Sequence, residues 1–234
     1  MLKRVPTVKT NFDRYEFTSS MIKAWREIYG QLPDKKSIAV IYAQWSGETG
    51  QGMSCWNFNI GNVKAADVNG SIIEYCVLNN VWEIIGGKKV ILPPENPGSW
   101  FRSFPTLDDG VRHHFSFLRS KYKIAWSAVE AGDPVEFSKK LREKGYYTAS
   151  LESYVKSMNW FFDQFMKSNY FEEFLKKETE ARLNIKIKEN NGNIYIPKNE
   201  DIFKVDENYN MDDNSFLKLN WLQKIINFIL KMFK

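Results

Sequence analysis

The apolar positions Ile38, Val40, Ile41, Ala43 and Trp45 form an almost continuous run. Pro33 and Asp34 precede it as helix-start signals, and Gly50 and Gly52 end it. That pattern predicts a helix buried on most of its sides. Upstream, Met21, Ile22, Trp25 and Ile28 fall on one helical face, which predicts a helix opened by Ser19 or Ser20 and running to about Tyr29, with Gly30 and Pro33 stopping it. Residues 1–17 are polar and are expected to run extended over the surface.

From Gln51 to about Pro105 the helical period disappears, and Gly, Asn and Pro punctuate short apolar runs. Ser71–Leu78 reads as a strand. Val81–Ile85 and Lys88–Leu92 flank Gly86-Gly87, the signature of a hairpin, and Pro93, Pro94 and Pro97 impose a loop after it. A small β-lobe inserted in a helical protein is therefore expected. Helices resume at Thr106, which forms a capping box with Asp109 ahead of Val111, Phe115 and Leu118. Asp133-Pro134-Val135-Glu136 combines an N-cap, a proline at N1 and an acid at N3. Ser150 opens a further helix, expected to continue through Trp160, Phe165 and Phe174 to about Leu183.

The composition changes there, which divides the chain into 1–182 and 183–234. Leu183–Lys188 alternates, Asn191-Gly192 is a tight-turn dipeptide and Asn193–Ile196 resumes, predicting a hairpin. An acidic, Asn-rich linker over 199–214 leads to Ser215–Lys234. In that last segment the polar residues fall in one narrow helical stripe, opposite a broad apolar surface. Two arrangements fit: a basic amphipathic helix in a membrane interface, with Trp221 at the boundary and Lys224 and Lys231 meeting anionic headgroups, or a helix docked on the rest of the chain.

With 234 residues, 43% of them hydrophobic, the chain is long enough for a substantial core. A net charge of +5 implies attraction to polyanions, without separating nucleic acid from a cell wall or an anionic lipid surface. Cys55 and Cys76 make no disulfide framework. His113 and His114 are adjacent and on a helix diverge by about 100°, so no metal site is expected, nor any cofactor. Met1–Pro6 is basic but is followed by no apolar core of a secretory signal, and no run reaches membrane-spanning length without charge.

Glu48 lies at the carbonyl end of the predicted buried helix. Desolvation and the helix dipole both disfavour an ionised carboxylate there, as a general acid requires. An exposed glutamate at a frayed helix end fits the same pattern. Gln44–Gly52, with its Glu48-Thr49-Gly50 turn, and the Asn57–Ala65 stretch after it resemble the glucosaminidase branch of the lysozyme-like superfamily, which hydrolyses peptidoglycan. Phe101–Gly110, Ala131–Pro134 and Lys144–Ala149 agree with that family in order and spacing, so that the resemblance covers roughly residues 17–165.

The resemblance implies an α+β, lysozyme-like fold with a glycan cleft between a helical body and a β-lobe, and Glu48 as the proton donor. It implies a second carboxylate, Glu83, on the hairpin, although Val81 and Gly86 depart from the family's pattern there, and Glu74 competes for the role. Tyr146 matches a cleft tyrosine, with its neighbour Tyr147 as a core or sugar-contacting residue. Asn59 and Trp56 are candidates for sugar binding, or for holding the turn and packing the core. The implied substrate is the β-1,4-linked glycan of peptidoglycan, cleaved between N-acetylglucosamine and N-acetylmuramic acid. Muramidase and lytic transglycosylase activities are alternatives, as is a non-catalytic glycan- or membrane-binding protein. Under this reading nucleic acid is not an expected partner. An anionic membrane or outer-membrane surface is the partner that residues 215–234 would meet in the first of their two arrangements, and the protein is expected to be made in the cytoplasm and to reach the wall on release, as a phage endolysin does.

Overall fold

A computed structural model describes residues 1–65, 72–147 and 149–189, with side chains up to 181. The helix α1 (Arg14–Tyr29) is capped at Asp13, ahead of the expected serines. Asp13 accepts from the Glu16 amide while the Glu16 side chain accepts from the Asp13 amide. A reciprocal capping box satisfies two orphan donors at once, which a serine inside the helix does not. Ser20 is instead buried and donates to Asp108 at 2.6 Å.

The helix α2 (Lys35–Thr49) follows, capped by Asp34 and ended by Gly50 in the left-handed conformation. Every residue from Ser37 to Ser46 is buried. Its Tyr42 and Trp45 pack with Phe17 of α1, the Phe17–Trp45 ring centroids lying 4.3 Å apart. Around α2 stand α3 (Leu107–Lys121), α4 (Lys123–Glu130), α5 (Pro134–Glu143) and α6 (Leu151–Lys167), with α6 lying along it. Thr106, Asp133 and Ser150 cap α3, α5 and α6 as their sequences predict.

The single long helix expected from Ser150 is two. α6 stops at Ser168, and α7 (Tyr170–Glu189) begins after it. The Ser168 hydroxyl and amide both donate to the carbonyl of Phe165, closing α6 locally. Leu183–Lys188, expected as a strand, continues α7. Propagating an existing helix adds one hydrogen bond per residue, whereas a strand needs a partner. The Asn191-Gly192 turn, the linker, and the segment 215–234 with Trp221, Lys224 and Lys231 lie outside the described residues.

Among the described residues two small sheets accompany the helices, making the fold mainly helical α+β. In one, β2 (Ile73–Val77) is central, parallel to β1 (Leu2–Arg4) and antiparallel to β5 (Trp100–Arg102). β1 falls in the segment expected to run extended, although its three residues are too short for an alternation to register as a strand, and α1 begins inside that segment at Arg14. The second sheet is the predicted hairpin. β3 (Trp82–Ile85) pairs with β4 (Lys88–Ile91) across Gly86-Gly87, with Ile85 opposite Lys88. Both glycines have positive φ, 58° and 77°, as a two-residue hairpin turn of this twist requires. Chain contacts divide the protein into Met1–Glu180 and Ala181–Lys234, and of the described elements the first unit carries all but the end of α7.

Candidate active site

A cleft of about 850 Å³ opens beside the C-terminal end of α2, lined by Glu48, Trp56, Asn62, Lys64, Trp82 and Glu83 among others. Glu48 reaches it from the last turn of α2, and Trp82 and Glu83 reach it from β3. The two carboxylates therefore face one cleft from different lobes.

The turn carrying Glu48 is held from several directions. The Thr49 hydroxyl donates to the Trp45 carbonyl and accepts from the Gly52 amide, and the Gly50 and Gln51 amides both return to the Ser46 carbonyl. Asn62 donates to the Glu48 carbonyl at 2.7 Å. A backbone pinned at both its amide and carbonyl ends leaves the carboxyl little freedom to retreat from the cleft. Glu48 keeps a partial opening to solvent, yet protein crowds its other sides, and this desolvation pushes its pKa up to about 7.

Across the cleft the Glu83 carboxylate lies 3.2 Å from the Lys64 ammonium. Lys64 is fixed in turn, standing 4.1 Å over the Phe101 ring and donating to the Gly98 carbonyl. Glu74, the rival second carboxylate, does not line the cleft and pairs with Lys3 at 2.6 Å. That favours Glu83 on position alone.

The remaining candidates separate by what their polar atoms touch. Asn59 is buried, and its amide is fully engaged: it donates to the carbonyls of Val63 (2.9 Å) and Arg102 (3.0 Å) and accepts from the Val63 amide (2.9 Å). Both of its polar atoms are used in holding the turn. Tyr147 stacks on Tyr154 with centroids 3.7 Å apart and donates to the Ser138 carbonyl, a packing arrangement away from the cleft lining. Trp56 is half-buried and presents a face to the cleft.

Tyr146 follows α5 and is packed edge-on against Tyr122 at 5.1 Å. Burial raises its hydroxyl well above the ordinary phenol range, and the nearby charge of Glu48 adds to this. The same two causes act on Tyr154 of α6. Both phenols therefore stand close enough to Glu48 to feel its ionisation. Sequence reasoning missed Tyr154, whose position in an aromatic helix carries no sign of it. It also passed over Lys64, whose place in the Asn57–Ala65 stretch was visible, and Gln44, one helical turn before Glu48. Among the described residues no cluster of His, Cys, Asp or Glu is arranged to hold a metal ion, and both cysteines are free and buried.

No family model matches this sequence, and no curated protein matches it. Solved structures do share features of its fold. A peptidoglycan hydrolase mutant from Sphingomonas sp. A1 is 16% identical, with a TM-score of 0.45 over 70% of this chain and 99% of that one. The glycoside hydrolase domain of FlgJ from Salmonella typhimurium is 18% identical, with a TM-score of 0.42 over 74% and 99%. The catalytic domain of the autolysin Auto from Listeria monocytogenes is 17% identical, with a TM-score of 0.45 over 69% and 90%.

Proposed function

We propose that the protein is a peptidoglycan glycoside hydrolase that uses Glu48 as its general acid. The observation that carries this reading is a carboxyl lining an open cleft, desolvated until its pKa lies near 7. Such a group is substantially protonated at neutral pH and can deliver its proton to a glycosidic oxygen as the bond to the sugar breaks. The ordered motifs around Glu48, which resemble glucosaminidases, support the glycan as substrate. They favour cleavage between N-acetylglucosamine and N-acetylmuramic acid.

On this reading Glu83 is the second carboxylate. From the facing lobe it takes a proton from an attacking water while Lys64 holds it in place, giving inversion at the anomeric carbon. The ion pair with Lys64 also favours a second reading. A Glu83 kept by its lysine leaves the substrate's own acetamido group to assist, with Glu48 acting alone, as in substrate-assisted hydrolysis or transglycosylation. Tyr146 stands near enough to Glu48 to brace the acetamido group or the departing sugar.

The test is digestion of purified sacculi, followed by mass spectrometry of the released muropeptides. Wild-type protein is expected to leave N-acetylglucosamine at the new reducing ends. N-acetylmuramic acid there would mean muramidase specificity, and anhydro ends would mean transglycosylation. Release unchanged in Glu48→Gln, or none from the wild type, would overturn the reading.

A further inference from the structure

The three-stranded sheet sets Arg4, Tyr75 and Arg102 side by side, Arg4 opposite Tyr75 across β1 and β2, and Tyr75 opposite Arg102 across β2 and β5. Residues paired in register share one face of a sheet. Two arginines therefore flank one tyrosine, their backbones two strand spacings or about 10 Å apart, and side chains of that length can close on one group between them. This is not the catalytic face. Phe101, next to Arg102 on β5, points the opposite way by strand alternation and lines the cleft, which neither arginine does.

Arg102 is half-buried. Its Nη1 donates to Nε2 of His113 at 2.7 Å, and its Nε is buried with no hydrogen-bond partner. A guanidinium has only donors, so His113 accepts at Nε2 and carries its own proton on Nδ1. The ring stays neutral, its pKa pushed down to about 4 by burial and by the charge of Arg102. His113 is itself held against Phe104, with ring centroids 4.8 Å apart. The contact therefore orients the guanidinium without neutralising it. Among the described residues no carboxylate forms an ion pair with Arg102 or with Arg4. The nearest acid along the sheet, Glu74, lies on the other face and pairs with Lys3. A partly desolvated cation with no counter-charge is costly, and an anion at this row would relieve the cost.

We propose that Arg102 and Arg4, with Tyr75 between them, form a phosphate-binding site on the sheet face turned away from the cleft, and that its ligand is a phosphodiester of an anionic cell-wall polymer. A carboxylate presents its two oxygens on one side and suits a single guanidinium fork. A phosphate carries oxygens on several sides and can meet two forks and a phenol hydroxyl together. His113 holds one fork in advance, which reduces what binding must order. The choice of a wall polymer as the source rests on the wall-hydrolase reading given above, and the net charge of +5 agrees with a polyanion. Held by this face, the protein keeps its cleft free to engage the glycan.

Two measurements on the full-length chain test this, both at fixed ionic strength. Inorganic phosphate is expected to raise the Tm of the wild type and to leave that of Arg102→Met unmoved, with chloride raising neither. Cosedimentation with cell walls is then measured in a Glu48→Gln background, so that the walls stay intact. Binding to walls that keep their phosphodiester polymer is expected to weaken about tenfold in Arg102→Met and in Arg4→Met, the effect of one charge-assisted contact. Lys3→Met, on the other face, is expected to bind as the wild type does, and Arg102→Lys to recover little, since an ammonium cannot replace the fork. Should Arg102→Met not fold, Arg4→Met and Arg102→Lys carry the same comparisons. Equal protection of wild type and arginine variants by phosphate, or equal weakening in Lys3→Met, would overturn the site. Tighter binding to phosphatidylglycerol vesicles than to phosphodiester-bearing walls, or no difference between walls with and without the polymer, would overturn the wall polymer as its ligand. Binding as expected by a protein whose wild type releases no muropeptides would count against the hydrolase reading and leave the site standing.

Discussion

The carboxyl of Glu48 feels little that favours its charge and much that disfavours it, since desolvation is what raises it to about 7. Two consequences are measurable. If the protonated form is the acid, kcat/KM should fall as pH rises through about 7, and Glu48→Gln should lower turnover by on the order of 10²-fold or more while leaving the fold intact. The same shift links to stability. A group whose pKa is higher folded than unfolded contributes stability that is lost as pH rises through the folded value. Glu48→Gln, which is neutral at every pH, should therefore raise the Tm relative to wild type at about pH 8 and change it little at about pH 5. Equal Tm differences at both would mean that Glu48 titrates normally. At the second carboxylate, Glu83→Gln should impair muropeptide release far more than Glu74→Gln, since Glu83 lines the cleft and Glu74 is tied to Lys3 outside it. Equal, mild losses would favour assistance by the substrate.

Among the elements, α3 is held against the Asn57–Ala65 turn with almost no clearance. A Cβ on Gly110 would sit 2.0 Å from the Phe58 carbonyl oxygen, a backbone atom that cannot rotate aside. Phe58 itself has φ 52°, a costly conformation for a bulky side chain, so the turn has little strain to spare. Gly110→Ala should destabilise the protein by about 2 kcal/mol or more in urea denaturation. It should also weaken turnover, because Asn62 of the same turn holds the Glu48 carbonyl. Asp13→Ala, which removes the capping box of α1 at a residue that does not line the cleft, should cost about 1 kcal/mol and leave turnover alone.

For the molecule as a whole, acid is where stability should fail. His113 is pushed down to about 4 by burial and by Arg102, and His114 to about 3. Both are bases whose folded pKa lies below the unfolded value near 6.5, so the unfolded chain binds more protons between those limits. Their effect is absent above about pH 6.5 and grows as pH falls toward 4, opposite in sign to that of Glu48. His113→Phe should therefore flatten the fall of Tm with acid, as differential scanning calorimetry across that range would show. At the C-terminal end, the amphipathic pattern of residues 215–234 leads to a separate expectation. Deleting them should spare sacculus cleavage and abolish binding to anionic liposomes, and loss of folding would instead assign the segment to the core.

Much of this was legible along the chain because it depends on neighbours in sequence. The burial of α2, the stop at Gly50, the hairpin at Gly86-Gly87, the caps at Thr106, Asp133 and Ser150, and the awkward place of Glu48 all follow from local spacing and turn chemistry. The sequence pattern alone misread the start of α1, the break at Ser168 and the helical course of Leu183–Lys188, where competing local signals were close in free energy and hydrogen-bond partners decided between them. Tertiary structure alone could assign Asn59 to the turn, Glu74 to Lys3 and Glu83 to the cleft with Lys64. It alone could bring His114 within 3.1 Å of Gln44. Desolvation and hydrogen-bond satisfaction depend on which atoms lie within a few ångströms, and residues as distant in sequence as Gln44 and His114 meet only when the helices pack.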